Sequence, residues 1–281
     1  MRHVEEVMGT AVVIDVADPL PHHELAALID GTCAWLHEVD ARFSTYKDDS
    51  EVNRLDRGEL TADRCSPDLR TVLDACAALR RETDGYFDDR AAGRFDPSGY
   101  VKGWSVEVAS ARLAEAGSRN HCVNAGGDIR SRGCPEPGRP WRYGIRHPWE
   151  PDRLAWVLTG TDLAVATSGT YERGLHVFDP HSGEPVRALR SVTVTGPDLA
   201  LADAYATAAM AMGTGGLLWL AHLAERSRYQ SAVITRDRYT YLSDDLPLSE
   251  AVPERPPARA SGSTRWAGRP PWAAGSATGV R

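Results

Sequence analysis

Nowhere does the chain hold the run of about 18 apolar residues that a membrane helix needs, so no stable membrane insertion is expected. Met1 to Asp15 has no apolar stretch behind a basic flank and carries Glu5 and Glu6, which is unlike a secretory leader and points to the cytoplasm. Cysteine is scarce: Cys33, Cys65, Cys76, Cys122 and Cys134 are odd in number and include no C-x-x-C pair. Neither a disulfide framework nor a structural zinc site is therefore expected. Positive charge is short as well, since 32 Lys and Arg against 39 Asp and Glu leave a net charge of -7. That balance argues against a nucleic-acid partner. The G-x-G-x-x-G and G-x-x-x-x-G-K-[ST] fingerprints of dinucleotide and P-loop sites are also missing.

What remains is an ordinary globular composition, 281 residues with 42% hydrophobic and 25% charged, long enough to bury a sizeable core. Residues 1–250 read as the folded body. From about Ala251 the chain turns to Pro, Ala, Gly and Arg without periodicity, so residues 251–281 are expected to form a disordered tail.

Strand and helix signals are intermixed along the body. Met8–Val16 reads as a first strand, and Pro21 opens a helix with Leu25, Leu28, Ile29, Leu36 and Val39 on its apolar face. Arg42–Asn53 alternates like a short strand and loop, with Tyr46 partly exposed. Ser66-Pro67 starts a helix whose stripe is Leu69, Val72, Leu73, Cys76 and Leu79. Cys33 and Cys76 fall on apolar helix faces and are expected to be buried thiols. Later strands fall at Cys122–Asn124, around Tyr143, at Trp156–Leu158, Ser191–Thr195, Ala232–Thr235 and Tyr239–Leu242. Helices span Leu199–Met212, rich in Ala, and Leu217–Arg226. With many hairpin-like returns, this order favours an α+β fold over a doubly wound parallel sheet.

The chain is organised around Asp96-Pro-Ser-Gly99-Tyr-Val-Lys102-Gly103-Trp-Ser, a turn feeding a helix. Ser98 is placed to cap it, Val101, Trp104, Val108 and Ala111 recur at helical spacing, and Gly117 closes it. Lys102 in the first turn opposes the positive end of the helix dipole, a cost that a bound anion would offset. On its own such a lysine is better read as solvated, and the Gly- and Asp-rich stretches downstream shift that balance. Ala125-Gly126-Gly127-Asp128 follows a strand, and paired glycines permit close backbone approach to a phosphate, although the same residues make an ordinary turn. Asp203 and Thr207 share one face of the Ala-rich helix. A hard cation such as Mg²⁺ would satisfy both, and a capped or water-linked Asp accounts for the pair equally well. His176 lies in a strand-like stretch, where a core histidine paired with Asp179 is the simplest reading.

In order, these stretches resemble the ApbE family of FAD:protein FMN transferases. The resemblance runs through Met8-Gly-Thr10, Phe43-Ser-Thr-Tyr46, Ser50-Glu51 and Thr83-Asp-Gly-Tyr-Phe-Asp88. It continues through Asp96-x-x-Gly99-x-x-Lys102-Gly103, Asn124-x-Gly-Gly-Asp128, Ala166-Thr-Ser-Gly169, His176-x-x-Asp179-Pro180-x-x-Gly183 and Ala202-Asp203-Ala204-x-x-Thr207, ending near residue 243. It implies a T-fold-like α+β architecture of mixed or antiparallel sheets with packed helices. It also implies Mg²⁺-dependent transfer of the FMN half of FAD to a Thr or Ser of an acceptor flavoprotein, with release of AMP. Carried over by position, Met8, Tyr46, Tyr86, Phe87, Asp88, Asp96, Lys102 and His176 would contact FAD. The Gly99 carbonyl, Asp203 and Thr207 would hold the metal. Gly126 and Gly127 suit close approach to the pyrophosphate, and His176 is the candidate general base. The short Asp88–Asp96 segment departs from the family and would alter the pocket edge. The rival readings are a FAD pyrophosphatase, with water in the acceptor's place, and a non-catalytic flavin-binding protein.

Overall fold

The structure, a computed structural model, describes residues 1–91, 93–170 and 177–249, together with the backbone of 263–265. Strands β1 (Arg2–Val7) and β2 (Thr10–Val16) form a hairpin. Its two-residue turn is Met8-Gly9, with φ of 55° and 70°. Two successive positive φ values are the mark of the turn that matches strand twist, so the expected single strand Met8–Val16 starts two residues later, after a corner. For Met8 the left-handed conformation costs about 1–2 kcal/mol, and Ser105 Oγ, 3.7 Å from Met8 Sδ, helps to hold it there.

Helix α1 (His22–Phe43) starts directly after Pro21, as expected. It buries Trp35 besides the anticipated Ile29, Leu36 and Val39. The expected strand in Arg42–Asn53 does not form. The chain leaves α1 at Ser44, and Ser50 Oγ accepts from Asn53 N at 3.2 Å to start the short helix α2 (Glu51–Asp56). Local capping overrides the alternating pattern there. Helix α3 (Pro67–Glu82) begins as expected, with Ser66 Oγ accepting from Leu69 N.

Helix α4 (Ser98–Glu115) differs from its expected cap. Ser98 is its first residue, and the Asp96 carboxylate accepts the Ser98 N–H at 3.0 Å. Gly117, at φ 99°, follows its end. The expected stripe is partly displaced: Val101 and Trp104 are buried, but Val108 and Ala111 are only half-buried, and Val106, Ala109, Ser110 and Leu113 are buried instead. The helix lies between α1 and the sheet: Trp35 Nε1 donates to Ser105 O, and Trp104 packs edge-on against Trp35 and Phe43.

Next come β3 (His121–Ala125), β4 (Asp128–Arg132), β5 (Trp141–Arg146), β6 (Leu154–Gly160), β7 (Leu163–Gly169) and β8 (Leu189–Gly196). Helices α5 (Leu199–Ala211) and α6 (Gly215–Arg226) are followed by β9 (Gln230–Thr235), β10 (Thr240–Leu242) and β11 (Ser263–Arg265). The main sheet runs β1-β2-β3-β4-β7-β8-β9-β10-β11, antiparallel except for β10–β11. The fold is α+β, and the sequence pattern shows why its two faces differ. Val123, Ala164, Ala166 and Val233 point to the helices, whereas their neighbours Cys122, Val165 and Ala232 pack under the β5–β6 hairpin. No helix among the described residues is long and apolar enough to cross a membrane. Apart from the β11 backbone, the tail from Ala251 lies outside the described residues.

Candidate active site

Helices α4 and α5 meet in an antiparallel register with a step of four residues. Glu107 Oε2 accepts from Leu199 N at 2.9 Å, Asp203 Oδ2 accepts from Gly103 N at 3.0 Å, and Gly99 lies opposite Thr207. The crossing is close because small residues line it. A Cβ on Gly103 would stand 2.6 Å from Leu199 O and 2.8 Å from Asp203 Cβ. The glycines of the central turn therefore bring two helix backbones together and expose an N–H to a buried carboxylate. In an uninterrupted helix Gly103 N–H belongs to the Gly99 carbonyl; here Asp203 competes for it.

Asp203 is buried, and burial followed by the neighbouring Asp128 carboxylate pushes its pKa up to about 8. Asp128 comes from the start of β4 and is also buried. Its Oδ1 accepts from Thr167 N at 3.2 Å, and its Oδ2 lies 2.6 Å from Lys102 Nζ. Lys102 thus has an anion near it, supplied by the chain itself. Ser168 Oγ on β7 lies 3.4 Å from Thr207 Oγ1. Among the described residues, the side-chain donors converging here are carboxylates and hydroxyls, with one ammonium for two buried acids. That all-oxygen, anion-rich set fits a hard divalent cation.

Two hairpin turns close over the same end of the sheet, because β2 pairs with β3. One is Met8-Gly9; the other is Gly126-Gly127, with φ of 58° and 102°. The two glycines differ in surroundings. A Cβ on Gly126 would stand 2.6 Å from Thr10 Oγ1, whereas nothing lies within 4 Å of that position at Gly127. Their N–H groups are engaged within the chain, Gly126 N with Ala11 O and Gly127 N with Asn124 Oδ1. The close approach read from the sequence is thus open at Gly127 and filled by Thr10 at Gly126.

The Thr83–Asp88 turn forms the neighbouring rim. Asp84 and Gly85 both have positive φ, and Thr83 Oγ1 accepts from Phe87 N at 2.9 Å. Phe87 is buried, 3.5 Å from where a Gly99 Cβ would be. The Tyr86 ring meets the His181 ring edge-on at 4.6 Å, and His181 Nε2 lies 2.9 Å from Asp84 O. Asp88 pairs with Arg80 at 3.5 Å. The short segment that follows is closed by Asp96 N donating to Asp89 O and Phe95 N donating to Asp56 Oδ1. A cleft of about 430 Å³ opens beside this turn, lined by Thr83, Asp84, Tyr86, Met212, Trp219 and His222 among others.

The structure thus gathers Met8, Gly99, Lys102, Asp203 and Thr207 around one helix crossing, with Phe87 beneath its start. Tyr46 is 92% exposed after α1, and Asp96 is occupied at the start of α4. His176 lies outside the described residues. Its suggested partner Asp179 accepts from His181 N and Ser182 Oγ, holding its own turn. Reasoning on individual residues missed Asp128, Thr167 and Ser168 as site groups, although all fall in stretches singled out in the sequence. His181 was missed too, and its contact with Asp84 spans 97 positions.

A family profile described as the ApbE family matches residues 8–93 and 89–231. The chain belongs to the ApbE family. It is 38% identical over 130 residues to a FAD:protein FMN transferase of Rhodobacter capsulatus, covering 43% of this chain and 25% of that one. It is 37% identical over 128 residues to a FAD:protein FMN transferase of Vibrio cholerae, covering 42% and 38%. The chain therefore spans well under half the length of those two relatives. In fold it is similar to the crystal structure of the ApbE protein of Thermotoga maritima, at a TM-score of 0.76, with 20% identity over 87% of this chain and 97% of that one.

Proposed function

We propose that this chain transfers the FMN half of FAD to the hydroxyl of a Thr or Ser in an acceptor flavoprotein. The acceptor oxygen bonds to the FMN-side phosphorus, the bond from that phosphorus to the bridging oxygen of AMP breaks, and AMP leaves. The observation that carries this reading is the α4–α5–β4 cluster, in which Asp203 and Asp128 share Lys102 as their cation. Such a centre supports phosphoryl-type transfer, where catalysis is mainly positioning and charge stabilisation.

Asp203, Thr207 and the Gly99 carbonyl would hold Mg²⁺, with Asp128 beside them. The cation supplies charge neutralisation for the pyrophosphate. Lys102, oriented by Asp128, brings a second positive charge to the same anion. Met8, Gly127, Tyr86 and Phe87 would shape the walls and Asp88 and Asp96 the rim, with Tyr46 reaching FAD from the segment after α1. His176 takes the acceptor's proton, a task suited to neutral imidazole near pH 7.

Incubation with FAD and Mg²⁺, with and without acceptor, tests this. AMP together with covalently flavinylated acceptor is the expected result. AMP with free FMN regardless of acceptor would make the chain a FAD pyrophosphatase, and no AMP would leave a flavin-binding protein. For the base, His176→Asn should keep FAD affinity while transfer falls by ~10²–10⁴-fold. Recovery of transfer at saturating FAD would reassign His176 to binding.

A further inference from the structure

Away from the helix crossing, β1 and α1 face each other across the N-terminal edge of the sheet. His3 and Glu5 are two apart on β1 and so share a strand face; Cys33 and His37 are four apart on α1 and share a helix face. One ligand atom from each of His3, Glu5 and Cys33 lies within 4.8 Å of the others. The Glu5 carboxylate also receives both imidazoles, His3 Nε2 at 3.0 Å and His37 Nε2 at 2.7 Å.

We propose that His3, Glu5, Cys33 and His37 form a second metal site, which binds Zn²⁺ and clips the N-terminal hairpin to α1. The donor chemistry selects the ion. Thiolate, two imidazoles and a carboxylate make a four-ligand N/S/O set of the kind zinc takes in tetrahedral geometry. Zinc bonds of about 2.0–2.3 Å require ligand atoms within roughly 4 Å of one another, so small rotations bring His3, Glu5 and Cys33 onto one ion, and His37, held now by the other Glu5 oxygen, must turn from it to become the fourth ligand. Such a set is poorly suited to Mg²⁺, which prefers oxygen, so this site and the Asp203 centre select different ions.

The sequence hid this site because its spacing is not the C-x-x-C kind; the ligand pairs become neighbours only when a strand and a helix pack. The half-buried Cys33 corrects the expectation of a fully buried thiol. Without a cation it is an inert thiol, since burial and Glu5 push its pKa up to about 11. The clip has a structural consequence. The hairpin it fastens ends in the Met8 turn, which touches Ser105 on α4, while α1 bonds the same residue through Trp35.

The test uses the full chain, treated with chelator and then titrated with Zn²⁺ or Co²⁺ in excess Mg²⁺ to fill the oxygen-rich centre. One Zn²⁺ should bind per chain and raise the melting temperature, and Co²⁺ should show a thiolate charge-transfer band. Cys33→Ser and His37→Gln should each weaken binding by more than about 100-fold, beyond the 10–100-fold carried by outer-shell partners. His37 is exposed, so its variant decides the matter should Cys33→Ser fail to fold. No tight equivalent in the wild type, a cobalt spectrum without the thiolate band, or unchanged affinity in a folded variant would each overturn the proposal.

Discussion

The two ends of the α4–α5 crossing are built from the same three elements and balanced in opposite ways. At one end Glu107 stands against Arg130 at 2.9 Å and Arg132 at 3.4 Å, and it also accepts Leu199 N–H at the start of α5. There, two guanidiniums face two acids, Glu107 and the α5 cap Asp198. One helical turn away, two buried carboxylates, Asp203 and Asp128, share one ammonium. The first arrangement is satisfied by the chain itself and holds α4, α5 and β4 together. The second is left anion-rich among the described residues, and burial with the Asp128 charge favours the protonated form of Asp203 there. A charge deficit kept inside a well-packed crossing is what makes this end the candidate site, since structure alone is better served by the Glu107 pattern.

The sharpest way to break the contrast is at Asp203. Asp203→Asn keeps the shape and an acceptor for Gly103 N–H, so AMP release from FAD should fall by at least about 10³-fold, as when a charge-stabilising group is lost. The melting temperature should hold or rise, because one of two like acids is gone. Glu107→Ala should do the reverse. It leaves Arg130, 5% exposed, without its carboxylate, and should cost about 3 kcal/mol of stability in denaturant titration. Turnover per folded molecule should stay within a few-fold of the wild type.

Gly103→Ala sharpens the comparison through geometry. Its methyl would press on Leu199 O and Asp203 Cβ, and should cost about 2 kcal/mol as overpacking. Gly99→Ala, whose nearest neighbours stand at 3.5 Å, should be far milder in stability.

The smallest effect comes from His121, which belongs to the Glu107 end. It is buried between Ser110 Oγ at 2.9 Å and Ser118 Oγ at 3.1 Å. Burial, then the charge of Arg132, lower its pKa from 6.5 to about 4. The fold favours neutral imidazole, so the unfolded chain takes up the proton first. The stabilisation is whole above the unfolded pKa and is lost as pH falls through the window from 6.5 to about 4. Between pH 6.5 and about pH 5 the loss should be ~1.5 kcal/mol, and His121→Gln should flatten that part of the stability–pH curve.

Periodicity showed most of this fold in advance. Ser66-Pro67 started α3, Gly117 ended α4, and the Ala-rich Leu199–Met212 became α5. The errors came where a local hydrogen bond outcompetes pattern, as at Ser50 with Asn53 and Asp96 with Ser98. Met8 was misread because nothing in a methionine signals a positive φ; tertiary contacts impose it. In the site, spacing alone paired Asp203 with Thr207, since both lie on one helix. Asp128 escaped because its partners, Lys102 and Thr167, come from different segments. His181 and Asp84 meet only through the fold for the same reason.

On the proposed function, the anion-rich end is a cation site for FAD chemistry and the Glu107 end is structural. The most direct measurement is FAD affinity of the wild type, Asp203→Asn and Glu107→Gln, each with and without Mg²⁺. Mg²⁺ should tighten FAD binding in the wild type and in Glu107→Gln, and leave Asp203→Asn unchanged. An equal Mg²⁺ enhancement in Asp203→Asn, or its loss in folded Glu107→Gln alone, would contradict the account.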